Sequence, residues 1–161
     1  MGIKLDKQSY KAVMSYLQAC LQVVNEEIFN ALSLLGEKCV IRVRMRTGSE
    51  SWFDQTGNLR SSIGYAVYND GRKKIESTFQ QILNGSEGVS EGRKMIDELA
   101  KLYSQTYALV VVAGMNYADK VEAMDNKDVL ASTELWAKGE VQRHLNIAKE
   151  KALMRLNSIK L

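Results

Sequence analysis

The chain has 161 residues, 45% of them hydrophobic and 25% charged, with a formal net charge of +3. That is enough apolar material for one compact domain with a real core, and it argues against disorder along the whole length. The charge balance is ordinary for a globular protein and singles out neither nucleic acid nor membrane as a partner, and no uninterrupted apolar run approaches the ~20 residues that span a bilayer.

The first residues, "MGIKLDKQSYK", lack the apolar core of a secretory signal, which fits a soluble protein retained in the cell that makes it. Proline is absent, so long helices are permitted. From Ser9 to about Arg46, apolar residues recur at Tyr10, Val13, Met14, Leu17, Leu21, Val24, Ile28, Leu32, Leu35 and Cys39, in the steps of three and four that mark one face of a helix. A straight helix of about 36 residues is about 54 Å long, so residues 1–47 are expected to project in part or to bend near Gly36. Two helices broken at Gly36 are the alternative. Tyr16, Val23, Phe29 and Leu34 widen the apolar face and invite a partner subunit. On one such helix Cys20 and Cys39 lie about 28 Å apart, so they form no intrachain disulfide, and their spacing suits no metal.

The stretch "DQTGNLRSSIGYAVYNDG", Asp54 to Gly71, follows. Thr56 and Gly57 read as the turn or cap of a very short helix through Ser62, and Ile63, Tyr65 and Val67 alternate as in a strand. Asp70-Gly71 signals a hairpin. A two-residue loop sets Tyr65 opposite Glu76 and Val67 opposite Lys74, whereas a three-residue loop, Asn69 to Gly71, sets Tyr65 opposite Ile75; the second is preferred because it pairs apolar side chains. Next, "NGSEGVSEG" (Asn84 to Gly92) reads as a flexible polar connection, and Met95, Ile96, Leu99, Leu102 and Tyr103 mark a short helix. "ALVVVAG", Ala108 to Gly114, reads as a central strand covered on both faces. "MNYADKVEAM" is expected to return as a fourth strand with Tyr117 and Val121 inward, and a long helix with Val141, Leu145, Ala148, Ala152, Leu156 and Ile159 follows from about Val129. The fold class is therefore α+β, a single domain with an antiparallel sheet of about four strands, long N- and C-terminal helices and a shorter middle helix.

Candidate chemistry is sparse. Ser61 and Ser62 need a base to become nucleophiles, and the sole histidine, His144, lies on the last helix; the serines more simply satisfy backbone groups in the turn, with His144 at the surface or between helices. Gly92-Arg93-Lys94 lacks the lysine and hydroxyl order of a phosphate loop. Asp119, Glu122, Asp125 and Asp128 alternate with Lys120 and Lys127 and read as an exposed mixed-charge edge rather than a metal site. Trp52 and Trp136 read as packing or interface anchors. Basic residues gather at Lys38, Arg42, Arg44 and Arg46, and again at Lys138, Arg143, Lys149, Lys151, Arg155 and Lys160, where the last helix has only Glu140 and Glu150 to offset them. The plainer reading is favourable charge near a helix C-terminus and a solvated face; the sharper one is a surface that meets DNA phosphates, with Arg42, Arg44, Arg46, Arg143, Lys151 and Arg155 as the DNA-facing candidates. No helix-turn-helix or zinc motif accompanies them, which argues against sequence readout.

The order of motifs carries a resemblance. Thr56-Gly57, Leu59-Arg60 and Ser62-Ile63 before the first strand, then Tyr117-Ala118 and Val121-Glu122, with "KDVL" leading the last helix, resemble the head-to-tail joining (neck and tail-completion) proteins of long-tailed phages and prophages. The likeness covers roughly Trp52 to Leu130; where relatives often place a glycine after the Val-Glu pair, this chain has Ala123 and Met124. The resemblance implies a noncatalytic virion component of the neck or tail, assembled in the host cytoplasm as a homo-oligomeric ring around the DNA passage, with no cofactor, metal, membrane or small-molecule substrate. Its partners would be other neck, connector and tail proteins, with nonspecific contact to passing DNA. Thr56, Gly57, Asn58, Leu59 and Arg60 would form a structural joint or interface supported by Tyr117, Val121 and Glu122, with Arg60 expected to pair with Glu122. A small basic nucleic-acid-binding domain is the alternative.

Overall fold

A computed structural model describes residues 6–47, 51–103, 107–124 and 127–159. Asp125 and Lys160, both named above, lie outside the described residues.

Helix α1 runs unbroken from Lys7 to Arg44. Asp6 caps it, its carboxylate accepting from the backbone N–H groups of Gln8 and Ser9 at 2.9 and 3.0 Å. The helix does not break at Gly36. That glycine is buried against the ring of Tyr65, where a Cβ would sit well inside van der Waals contact, so it is a point of close approach between helix and sheet.

Among the described residues the sheet has three antiparallel strands: β1 (Ile63–Asn69), β2 (Arg72–Glu76) and β3 (Tyr107–Ala113), in the order β2-β1-β3. The expected central strand, β3, is therefore an edge among the described residues, although it is covered on both faces as expected; β1 is central and buried along nearly its whole length. The hairpin uses the tight two-residue loop. Asp70 and Gly71 both have positive φ, +50° and +71°, and Asn69 pairs with Arg72. A bulge between Val67 and Tyr68 then shifts the register, so that Val67, not Tyr65, faces Ile75. The apolar pairing that motivated a longer loop is reached by the bulge instead.

Two further expectations fail. "SEGVSEGRKMIDEL" is one helix, α3 (Ser86–Leu99), continued by a 3-10 turn from Ala100 to Leu102. Its glycines, Gly88 and Gly92, are four apart and share the buried side, Gly88 on the backbone of Asn58 and Gly92 on Phe79 and Ser62. "MNYADKVEAM" is not a strand either. It winds into the short helix α4 (Ala118–Glu122) with Tyr117 as its N-cap, and the four-residue spacing of Tyr117 and Val121 serves a helical turn as well as a strand. The Val121 N–H donates to the Tyr117 carbonyl at 3.1 Å.

Helix α5 (Ala131–Leu156) lies antiparallel along α1, tied by Arg46 to Ser132, Lys38 to His144 and Arg155 to Glu26 and Glu27. One core, including Leu32, Val43, Trp52, Tyr65 and Val129, fills the space between these helices and one face of the sheet. A second, built on Tyr68, Phe79, Ile96 and Val112, lies between the other face and α3.

Candidate functional site

The segment from Ser51 to Ser62 turns the chain from the end of α1 into β1, and almost every polar group in it is committed to holding that turn. Asp54 organises the corner: one carboxylate oxygen accepts from Gly57 N–H at 2.9 Å, the other from Arg60 N–H at 2.9 Å. The four-residue helix α2 (Asn58–Ser61) is thereby capped from a distance, because Gly57, its N-cap, has no side chain to do so. Gly57 has φ +81°, and a Cβ there would collide with the carbonyl of Ile82. The Thr56 hydroxyl accepts from Asn58 N–H at 3.2 Å. Asn58 bridges to α3, donating to Glu87 at 2.8 Å and accepting from Gly88 N–H at 3.3 Å, and Leu59 is buried in the main core.

Arg60 does not meet Glu122. Its guanidinium donates to the carbonyl of Arg44 at 2.6 Å, to the Ser51 hydroxyl at 2.6 Å and, at 3.5 Å, to the carbonyl of Arg46, while its plane lies 4.6 Å from the centre of the Trp52 ring. It thus binds the orphan carbonyls at the C-terminus of α1, where the helix dipole favours a cation. Glu122 has another task. Its carboxylate accepts from the backbone N–H groups of Val129, Leu130 and Ala131 at 3.1, 2.7 and 3.2 Å, capping the start of α5, where the N-cap position holds Leu130.

Thr56, Leu59, Tyr117 and Val121 do come together. With Trp52, Asp54, Met124 and Lys127 they line a 450 Å³ cleft beside the corner, flanked by Phe53, whose side chain is 87% exposed. Burial raises the Tyr117 hydroxyl pKa, helped by the negative charges of Asp54 and Glu87. The indole N–H of Trp52 is buried without a hydrogen-bond partner among the described residues.

The basic candidates divide. Arg46 is turned inward at the start of α5, donating to the carbonyls of Asp128 and Val129 and to the hydroxyls of Ser132 and Thr133, with the Asp128 carboxylate 3.0 Å away. Burial pushes the Asp128 carboxyl pKa up, but the hydrogen bonds from Ser132 and the charge of Arg46 outweigh it, and the net shift is down. Arg44 donates to the Ile63 carbonyl at 2.7 Å; burial lowers its pKa, opposed by the charge of Glu37. Both of these arginines are engaged within the fold. Arg155 is held between Glu26 and Glu27, at 2.6 and 2.7 Å. Arg42 stacks over Trp136 at 5.4 Å, and Arg143 pairs with Glu140 at 3.1 Å. Lys151 is exposed.

The hydroxyls expected to satisfy backbone groups do so. Ser61 accepts from Ile82 N–H at 2.8 Å and Ser62 donates to the Leu59 carbonyl at 2.8 Å. His144 is interhelical: Nδ1 lies 3.0 Å from the Glu140 carbonyl and Nε2 3.1 Å from Lys38 Nζ, an arrangement met by a neutral ring protonated on Nδ1. Among the described residues no three His, Cys, Asp or Glu side chains converge as metal ligands. The chain has no significant match among protein-family models, curated proteins or solved structures. The corner's geometry offers hydrogen bonds and packing.

Sequence reasoning missed Asp54, the pivot of the corner. Its signal was there to read: an aspartate three residues before a glycine and six before an arginine, ahead of a helix too short to cap itself. Ser51 and the inward orientation of Arg44 and Arg46 had no comparable local signal.

Proposed function

We propose that this chain is a noncatalytic structural protein of the phage neck or tail, joining head to tail as a homo-oligomeric ring around the DNA passage. The order of motifs from Thr56 to Glu122 is the basis of the family reading. The observation that carries the structural reading is the disposition of the polar groups at that motif: Asp54, Asn58, Arg60, Ser61, Ser62 and Glu122 are all engaged in holding backbone together. A corner so committed suits a part that must keep its shape under load. Exposed apolar side chains at Phe53 and Met124, beside the corner, supply surface for neighbouring subunits and for the neck and tail proteins above and below.

The nucleic-acid reading is the weaker of the two, because Arg44, Arg46 and Arg155 are engaged within the fold. Deleting the coding gene from its phage or prophage tests the proposal. The expected result is DNA-filled heads and separate tails, restored to whole particles by the wild-type chain and carrying the protein at the neck by immunogold labelling. Infectious, tailed particles from the deletion would overturn it. Salt-dependent DNA affinity of the isolated monomer, without assembly, would favour the nucleic-acid domain.

A further inference from the structure

Helix α1 outruns the helix that covers it. Helix α5 ends at Leu156, with Arg155 against Glu26 and Glu27, and none of the residues from Lys7 to Gln22 is buried. Sixteen residues span about 24 Å at 1.5 Å per residue. Along them Tyr10, Met14, Leu17 and Leu21 follow at spacings of four, three and four, and they are 57%, 38%, 47% and 63% exposed. The same alternation continues inward to Val24, Ile28, Ala31 and Leu35, all buried or half-buried. A single seven-residue pattern therefore runs through both halves of the helix, packed in one half and bare in the other.

Beyond Lys11 the bare half is also uncharged. From Ala12 to Asn25, "AVMSYLQACLQVVN", no side chain on any face carries a charge, whereas a helix that stays in water normally keeps a charged side. The charges stand at its ends, Lys7 and Lys11 with the capping Asp6 at one, for a net single positive charge, and Glu26 and Glu27 at the other. Arg155 is one cation shared by those two carboxylates, so a negative charge is left over there.

We infer that the outer seam of α1 binds a second copy of this chain, the two helices pairing antiparallel about a two-fold axis. Tyr10 of each copy then faces the partner's Leu21, and Met14 the partner's Leu17. Charge selects the direction: antiparallel pairing brings the partner's Lys7 to the Glu26–Glu27 end, while parallel pairing stacks lysine on lysine at residues 7 and 11. Shape agrees. The partner helix begins where α5 stops and runs in the same direction, so the negative C-terminal end of α5 meets the positive N-terminal end of the partner's α1. This pairing stands apart from the neck reading, since a two-fold contact closes on itself and a ring needs a second, head-to-tail surface.

The test uses the full chain. In sedimentation, the wild type is expected at an even multiple of the chain mass. The double variant Leu17→Glu/Leu21→Glu, altered only at exposed positions, should fall to half that mass with its far-UV circular dichroism unchanged. For direction, Met14→Cys/Cys20→Ser and Leu17→Cys/Cys20→Ser chains are mixed under mild oxidation; they should cross-link to each other in preference to themselves. A monomeric wild type, an unchanged mass in the double variant, or preferential cross-linking of each variant to itself overturns the inference. A ring that survives the double substitution removes the seam and leaves the neck reading standing. A two-fold pair from a gene whose deletion spares tailed particles does the reverse.

Discussion

Replacing Arg60 with alanine removes the clamp between the corner and the end of α1. Two short hydrogen bonds are lost, to the Arg44 carbonyl and the Ser51 hydroxyl, both at 2.6 Å, along with the stack on Trp52 at 4.6 Å. A hydrogen bond from a charged donor contributes about 1.5–3 kcal/mol, and a partly exposed cation–π contact about 0.5–1 kcal/mol. Arg60 is half-buried, so water reaches part of the vacated site, and the bond at 3.5 Å to the Arg46 carbonyl adds little. The expected loss is about 2–4 kcal/mol in urea unfolding, read at fixed protein concentration and with the slope checked for constancy. Arg60→Lys should recover less than half of it, since an ammonium cannot reach the carbonyl and the hydroxyl in one planar fork. Double-mutant cycles separate the contacts: Arg60→Ala with Ser51→Ala should couple, and Arg60→Ala with Glu122→Ala should be additive within about 0.5 kcal/mol. A loss below about 1 kcal/mol, or strong coupling to Glu122, would refute the reasoning.

Glu122→Ala should cost about 1–2 kcal/mol by uncapping α5, with hydrogen exchange speeding first at Val129, Leu130 and Ala131. Two glycines of helix interiors should respond with opposite sign: Gly88→Ala drives a methyl into the Asn58 backbone and should cost about 1–3 kcal/mol or more, whereas Gly139→Ala has open space and should gain up to about 1 kcal/mol in thermal or urea unfolding. Burial pushes the Tyr68 hydroxyl up from 10.0 to about 12, opposed by Lys73. Because the folded state holds that proton longer than the unfolded chain, its contribution is complete below pH 10.0 and is lost as pH rises toward 12; Tyr68→Phe should flatten that part of the stability profile while losing the 2.6 Å bond to the Ile96 carbonyl.

The parts of the fold legible in the sequence are those where a single periodicity had no competitor. Steps of three and four without a proline gave α1 and α5 to within a few residues, and β1 and β3 follow from alternating or continuous apolar runs. The misreadings have a common cause: residues judged by local propensity were serving tertiary contact. Gly88 and Gly92 look like breaks, yet they let α3 settle on the backbone of α2 and β1. Tyr117 and Val121 fit a strand or a helical turn equally well, and only the surrounding core decides between them. The stretch from Thr56 to Arg60 forms a tightly hydrogen-bonded turn, and within it Arg60 does not pair with Glu122 as expected. Arg60 and Glu122 are opposite charges near one another in the motif order, and each satisfies backbone groups instead, at the end of α1 and the start of α5.

The arginines show why a basic cluster in a sequence is weak evidence for a basic surface. Arg44, Arg46 and Arg60 lie near the end of α1, and each serves backbone carbonyls there: Arg60 those of Arg44 and Arg46, Arg44 that of Ile63, and Arg46 those of Asp128 and Val129. Arginine suits that place because its planar donors can serve two acceptors at once, as Arg46 does between the Asp128 region and the hydroxyls of Ser132 and Thr133. The cluster thus ties the end of α1 to the corner, to β1 and to the start of α5. Reversing all three to glutamate would set carboxylates against those carbonyls, so, on the proposed neck function, a loss of infectious particles in such a variant would report unfolding rather than lost DNA contact. Exposed cations away from the helix end, Lys151 on α5 and Arg143 beside Glu140, are the positions at which charge reversal separates the two. Because neither holds backbone carbonyls in place, Arg143→Glu with Lys151→Glu should leave the fold intact, and, on the proposed neck function, any change in DNA passage would then belong to the surface.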